Sequence, residues 1–231
     1  MSRLIGRDKA VVVFAREPRL GKVKTRLQEN LPAQTVLGLY RAFVKDVLRT
    51  AKQVKEAEHF LYYAGTLQSK AFLSSFKRHF ILKRQIGKDL GQRMGMAFSH
   101  CCSERIKKVV IIGTDCLTLN ADDILKAFLA LDRHDCVLGP TYDGGYYLIG
   151  LKEPERRVFD HVDWGTNKVL VQTLRNLKKL KKTSYQLKMK DDIDTIDDLI
   201  KFSRMRKRFL TARCTAQTIT KLKLFRINED R

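Results

Sequence analysis

The polar chemistry of the chain is concentrated in three short stretches. The first is the loop Arg16-Glu-Pro-Arg-Leu-Gly-Lys-Val-Lys-Thr-Arg-Leu27, which places Arg16, Arg19, Lys22, Lys24 and Arg26 directly after a buried apolar run. Lysine and arginine donors in such a loop suit a polyphosphate, whose charge otherwise repels an incoming nucleophile, and Gly21 lets backbone approach a ligand closely. The loop is not a P-loop, because Val23 follows Gly21-Lys22 and Arg16 stands where the upstream glycine belongs, and it is not a dinucleotide fingerprint. The competing reading is a solvated basic surface.

The second stretch is Val109-Val-Ile-Ile-Gly-Thr-Asp-Cys116, in which Asp115 emerges from the end of an apolar run. A carboxylate held there suits Mg²⁺ or Mn²⁺; Mg²⁺ takes oxygen ligands at about 2.0–2.1 Å and completes its shell with water and substrate phosphates. Asp115 as a turn or N-cap residue is the alternative, but Asn120 is better placed to cap a helix at Ala121. Cys116 has no histidine nearby in sequence to activate it and reads as packing.

The third is Asp191-Asp-Ile-Asp-Thr-Ile-Asp-Asp198. Thr195 and Asp198 match a capping box. That leaves Asp192 and Asp194, mutually repelling carboxylates that want a cation. Asp115 and Asp194 close on one ion if their strand ends are neighbours. Between these stretches, Asp143-Gly144-Gly145 separates two apolar runs as a hairpin turn and leaves backbone bare enough for a sugar or acceptor.

These residues need strand ends to hold them. The run at Lys9 to Arg16 is continuous and β-branched, as a strand buried on both faces requires. Val36, Leu39, Tyr40, Phe43, Val47 and Leu48 then recur at helical spacing after Pro32. Strands follow at His59 to Tyr63, Phe80 to Gln85, Lys108 to Gly113, Cys136 to Gly139, Tyr146 to Leu151 and Ser184 to Leu187. Helices are expected at Leu67 to Lys77, Leu90 to Ser103, Ala121 to Leu131, Asn167 to Leu177 and Ile196 to Arg206. Strands alternating with helices imply one α/β domain with a doubly wound, mainly parallel sheet over 1–206, followed by a basic extension, 207–231, as a further helix or a tail.

The chain has 231 residues, 44% of them hydrophobic, enough for one such domain. Its apolar runs fall short of the roughly 20 residues that span a bilayer, and the N-terminus lacks a signal-peptide core, so a cytoplasmic location is expected. Five cysteines without Cys-x-x-Cys spacing agree with a reducing compartment and give no zinc site. The formal charge of +21 attracts phosphates, nucleic acids or acidic membrane surfaces, although much of the excess lies in Arg175 to Lys190 and Lys201 to Arg213, away from the three stretches.

Six motifs in order resemble the bacterial GT-A-like glycosyltransferases named for arsenosugar biosynthesis. They are Phe14 to Leu27, Asp89-Leu-Gly-Gln-Arg-Met94, Gly113-Thr-Asp-Cys116, Gly139 to Gly150, Trp164-Gly-Thr166 and Asp192-Ile-Asp-Thr195. Leu117 and Ile196 stand where that family commonly has proline. The resemblance implies the GT-A nucleotide-diphospho-sugar transferase fold, with Lys24 and Arg26 at the phosphates, where the reading of the loop adds Arg16 and Gly21. It further implies Asp115 and Asp194 on Mg²⁺ or Mn²⁺, Gly91 and Arg93 bordering the nucleotide, and Asp143 facing a small-molecule acceptor. Lys24, Asp115 and Asp143 are the expected catalytic residues. The leading expectation is glycosyl transfer from a nucleotide sugar. The alternative is nucleotidyl transfer from a nucleoside triphosphate, and a basic nucleic-acid-binding protein ranks last; peripheral membrane contact is compatible with the charge.

Overall fold

The computed structural model describes residues 8–66, 70–205 and 211–224. Seven strands form one sheet in the order β3-β2-β1-β4-β6-β5-β7. They are β1 (Lys9–Arg16), β2 (Glu58–Ala64), β3 (Ile81–Arg84), β4 (Lys108–Ile112), β5 (Cys136–Pro140), β6 (Tyr146–Leu151) and β7 (Ser184–Gln186). All neighbouring pairs are parallel except the two that β6 makes, with β4 and β5. β6 runs antiparallel because it returns from β5 through the Asp143-Gly144-Gly145 turn. Gly144 sits at φ +87° there, packed so closely on the Asn167 carbonyl that a Cβ would collide with its oxygen.

The helices are α1 (Ala33–Lys52), α2 (Lys70–Ser74), α3 (Leu90–Ser103), α4 (Ala121–Arg133), α5 (Val169–Lys179), α6 (Ile196–Ser203) and α7 (Arg213–Lys221). They cover both sheet faces. One core joins Val11, Val13, Val110 and Ile112 to α1, α4 and α6; the other joins Ala10, Val12, Val109 and Ile111 to α3 and α5. Alternate residues of β1 and β4 thus feed opposite cores, which is why both strands read as unbroken apolar runs. Phe43, Phe98 and Phe128 are fully buried; truncating any one to alanine costs about 3–5 kcal/mol.

Two expected helices end three residues short of their expected bounds, the other elements agreeing within two. The helix expected over Leu67 to Lys77 is confined among the described residues to α2, and 67–69 lie outside them. The last helix of the domain ends at Ser203, with Arg206 outside the described residues. Within the basic 207–231 segment, α7 packs on α1. Ala212, the N-cap residue before it, offers no side-chain cap. Asp46 of α1 supplies one instead, accepting from the amides of Cys214 (2.9 Å) and Thr215 (2.7 Å) and from the Thr215 hydroxyl (2.8 Å). No helix among the described residues is long and apolar enough to cross a membrane.

The sheet order fixes where a ligand fits. From β1 the chain passes through α1 to β2 on one side, whereas β4 pairs with β1 on the other. In an open α/β sheet, such a reversal leaves a crevice beyond the carboxyl ends of the two strands. The loops after β1 and β4 share that crevice.

Candidate active site

A cleft of about 520 Å³ opens at this switch point, within the range of small-molecule sites. Its walls include Arg16 at the end of β1, Lys24 and Arg26 after it, Thr114 and Asp115 after β4, Lys88 and Arg93 around the start of α3, and Asp194 before α6.

Asp115 stands two residues past Gly113, whose amide donates to the Tyr147 carbonyl (3.1 Å) as the β4–β6 pairing runs out. Asp194 comes from far away in sequence along an edge path. After β7, Leu187 donates to Leu138 (2.8 Å), Lys190 to Pro140 (3.1 Å) and Ile193 to the Asp115 carbonyl (3.0 Å). The Thr195–Asp198 capping box then starts α6, and Asp198 Oδ2 also accepts from the Asp194 amide (3.1 Å). Asp194 is thereby fixed from both sides.

The two carboxylates meet at Lys24. Its Nζ lies 2.9 Å from Asp115 Oδ1, 2.7 Å from Asp194 Oδ1 and 2.7 Å from the Ile193 carbonyl. The Lys24 side chain is only 6% exposed, whereas those of Asp115 and Asp194 are 40% and 38% exposed. Burial alone would lower the Lys24 pKa, but the two carboxylates outweigh it and hold the ammonium charged. Lys24 also has left-handed backbone, φ 47° and ψ 52°, uncommon for a residue with a Cβ and sustained only where surroundings dictate it. Arg26 Nη1 approaches Asp194 Oδ2 at 3.7 Å.

Beside this pair stands Asp192, whose Oδ1 is sealed from solvent with no hydrogen-bond partner. Burial, then the charge of Asp115, push its pKa up to about 8. Tyr40 of α1 closes the cleft floor: its hydroxyl donates to the Arg16 carbonyl (3.1 Å) and accepts from the Arg16 amide (2.8 Å). Burial, followed by Asp115, pushes that phenol up to about 12, so it stays a neutral donor. Gln85 donates through Nε2 to the carbonyls of Ala15 (3.1 Å) and Tyr62 (2.9 Å), tying the ends of β1 and β2 at the cleft wall. Arg93 is steadied by Nε donating to the Gly87 carbonyl (3.0 Å).

Arg16, Lys24, Arg26, Arg93, Asp115 and Asp194 therefore share one cleft. Gly21, Gly91 and Asp143 are set back from its lining. Gly21 (φ +74°) lies in the exposed turn closed by Lys22 donating to Arg19 (3.1 Å). Gly91 is buried against the other face of α3, where a Cβ would lie 2.8 Å from both Phe159 Cβ and Trp164 Cζ2. That close approach links the Asp89-Leu-Gly and Trp164-Gly-Thr motifs as a packing joint. Asp143 crowns the β5–β6 turn, its Oδ1 accepting from Thr141 and from the Gly145 amide (3.1 Å); it lies near enough to Asp192 to disfavour charge there. Sequence reasoning missed Tyr40 and Gln85 as site residues, because one fits the core stripe of α1 and the other merely ends a strand. Cys116 is buried, and burial pushes its thiol up to about 12, in keeping with packing.

The donor set fits a hard divalent cation. Two carboxylates already converge on a positive charge, with no sulfur or imidazole in the cleft lining. Among the described residues no three His, Cys, Asp or Glu side chains form a metal cluster, so the protein offers a pair of ligands, as sites completed by water and substrate phosphate do.

No curated protein matches the chain. Among solved structures, a Desulfovibrio desulfuricans G20 protein provisionally named a nucleotide-diphospho-sugar transferase is 28% identical, with a TM-score of 0.85, covering 94% of this chain and 96% of its own. A cytidylyltransferase from Leptospira borgpetersenii is 14% identical, with a TM-score of 0.54, covering 97% and 98% respectively. A Mycobacterium tuberculosis H37Rv protein solved in complex with manganese is 14% identical, with a TM-score of 0.51, covering 84% and 96%. The fold is the single-domain, mainly parallel nucleotide-diphospho-sugar transferase type. The profile of the family described as "Uncharacterized protein conserved in bacteria (DUF2064)" matches residues 47–166, more than half of the chain, and the protein belongs to that family.

Proposed function

We propose that the protein is a metal-dependent transferase that takes a glycosyl group from a nucleotide sugar, with the nucleoside diphosphate lying in the β1–β4 cleft. The observation that carries this reading is the meeting of Asp115 and Asp194 around one positive charge, in a cleft also lined by Arg16, Arg26, Lys88 and Arg93. The provisional name of the 28% identical relative and the manganese bound to a protein of like fold support it. So do the six motifs shared with the family named for arsenosugar biosynthesis.

In this reading Asp115 and Asp194 hold Mg²⁺ or Mn²⁺, which neutralises charge on the departing diphosphate. The guanidinium groups of Arg16, Arg26 and Arg93 supply forked donors to the phosphate oxygens and orient them. Tyr40 fixes the backbone of Arg16, so the first phosphate donor is set before the ligand arrives. Asp143, outside the cleft lining and near enough to Asp192 to disfavour charge there, is assigned in this reading to the acceptor and its proton. Gly91 lies outside the cleft lining and packs on Phe159 and Trp164, so in this reading it borders the nucleotide only indirectly, through the seating of α3.

The test is to incubate the protein and Mn²⁺ with labelled nucleotide sugars and, separately, with labelled nucleoside triphosphates plus phosphorylated acceptors. Nucleoside diphosphate release coupled to sugar transfer is expected. Pyrophosphate release without sugar transfer would replace this reading with nucleotidyl transfer. A thermal-shift screen with Mg²⁺ or Mn²⁺ identifies the donor first, since a ligand at a hundredfold excess over Kd stabilises the fold by about 2.7 kcal/mol.

A further inference from the structure

Lys24 is where the phosphate-binding loop and the carboxylate pair compete. An ammonium has three hydrogens, and Asp115 Oδ1, Asp194 Oδ1 and the Ile193 carbonyl, at 2.9, 2.7 and 2.7 Å, account for all three. As placed, Lys24 has no donor left for a phosphate. It also occupies the position between the carboxylates that a shared cation needs, and two cations at such range repel strongly in a partly buried site. The metal and the ammonium thus exclude one another.

We propose that Lys24 is the resident counter-ion of the Asp115–Asp194 pair, and that a divalent cation enters by displacing its ammonium, which then turns to the diphosphate. The inference rests on the function proposed above. Three features favour it. One buried ammonium leaves the pair's second negative charge to the exposed Arg26 guanidinium, 3.7 Å from Asp194 Oδ2, whereas a divalent ion between the carboxylates balances both. The carboxylates keep about two-fifths of their side-chain surface exposed while Lys24 keeps 6%, so an incoming cation reaches the oxygens from the cleft without unfolding the loop. Finally, Lys24 has left-handed backbone without being glycine, a conformation its three bonds help to hold, and releasing them lets it relax. Lys24 is then a positioning residue for the empty site and a phosphate ligand in the loaded one, which makes metal and nucleotide binding mutually reinforcing.

Two measurements test this, with MnCl₂ alone as the probe. Free Mn²⁺ is followed by electron paramagnetic resonance during titration of the wild type and of Lys24→Met. The variant is expected to bind Mn²⁺ about tenfold tighter, a typical coupling between sites that exclude each other. In the wild type, amine acylation read by peptide mass spectrometry is expected to modify Lys24 several-fold faster once Mn²⁺ is bound. Lys190, held by Asp123 (2.9 Å) and the Thr118 carbonyl (3.1 Å) away from the pair, is expected to stay protected throughout. If Mn²⁺ binds but Lys24 labelling is unchanged, or if folded Lys24→Met binds no more tightly than wild type, the displacement is wrong and the metal site stands. If Mn²⁺ binds neither folded protein, both the displacement and the metal-dependent function fall. Should Lys24→Met not fold, wild-type labelling decides alone.

Discussion

The amide of Ile193 donates to the carbonyl oxygen of Asp115 at 3.0 Å. This bond joins the loop after β4 to the strap that follows β7, and it sets the spacing at which Asp115 and Asp194 both reach Lys24. The carboxylate pair is therefore held by backbone, and its side chains can be altered without dismantling the crevice.

Asp115→Asn and Asp194→Asn follow from that rigidity. Each removes one of the two negative charges while keeping side-chain volume. Turnover is expected to fall by at least about a hundredfold, as when a preorganised electrostatic group is deleted from an active site. Stability is expected to fall by only about 1 kcal/mol, since both carboxylates are more than a third exposed. The Mn²⁺-dependent rise in melting temperature should vanish in both. Retained metal stabilisation in either variant would remove that residue from the metal site.

The strap depends on Asp135 at its far end. Asp135 Oδ2 accepts from the Thr183 amide (2.8 Å) and hydroxyl (2.7 Å) immediately before β7 pairs with β5. Those hydrogen bonds, backbone first, hold its carboxyl below the ordinary value. A group depressed in the folded state contributes stability above its unfolded pKa and loses it as pH falls through the folded one. Asp135→Asn is therefore expected to be less stable than wild type at pH 7 and to converge with it in acid, below about pH 4. Parallel melting curves from pH 7 to pH 3 would show that the clamp carries no charge-dependent stability.

Gly91 separates packing from ligand binding. A methyl group there meets Phe159 Cβ and Trp164 Cζ2 at 2.8 Å, and overpacking of this kind costs about 1–3 kcal/mol. Gly91→Ala is expected to lower the unfolding free energy read from urea melts by that amount, while nucleotide affinity stays within about twofold below the new transition. A selective loss of nucleotide affinity with unchanged stability would return Gly91 to the nucleotide site.

Much of this arrangement was legible in the sequence where the chemistry is local. β1 and β4 betray themselves as apolar runs, the caps at Asn120 and Thr195 follow from residue type and spacing, and Asp143-Gly144 announces the β5–β6 hairpin. Asp115 and Asp194 could be named, but not joined, because their meeting depends on β4 lying beside β1 and on an edge path from β7, both set by sheet order. Lys24 and Asp194 are 170 positions apart, and no periodicity carries information over that range. Tyr40 was hidden for the opposite reason: its position satisfies the apolar stripe of α1, and only the tertiary fold brings its hydroxyl to Arg16. The mixed pattern of 207–231 left a further helix and a tail equally open, and only the tertiary fold shows α7 with Ala212, Ala216 and Ile219 buried.

That last contrast gives a prediction about the chain's end. Asp46 is 1% exposed on α1, and it serves α7 through two amides and the Thr215 hydroxyl while Arg49 Nη1 approaches its Oδ1 at 3.3 Å. Thr215 is fully buried, so removing Asp46 strands its donors away from water. Unsatisfied buried donors cost about 1–3 kcal/mol, and the loss of the external cap adds about 1 kcal/mol. Asp46→Ala is expected to destabilise by about 2–4 kcal/mol and to expose the segment after α6 to limited proteolysis. Asp46→Asn keeps one acceptor oxygen and should lose less. Truncation after residue 206 should reproduce the alanine phenotype, because it removes the same buried face of α7 from α1. If the truncated chain melts at the wild-type temperature, α7 is an appendage and its bonds to Asp46 add nothing to the domain.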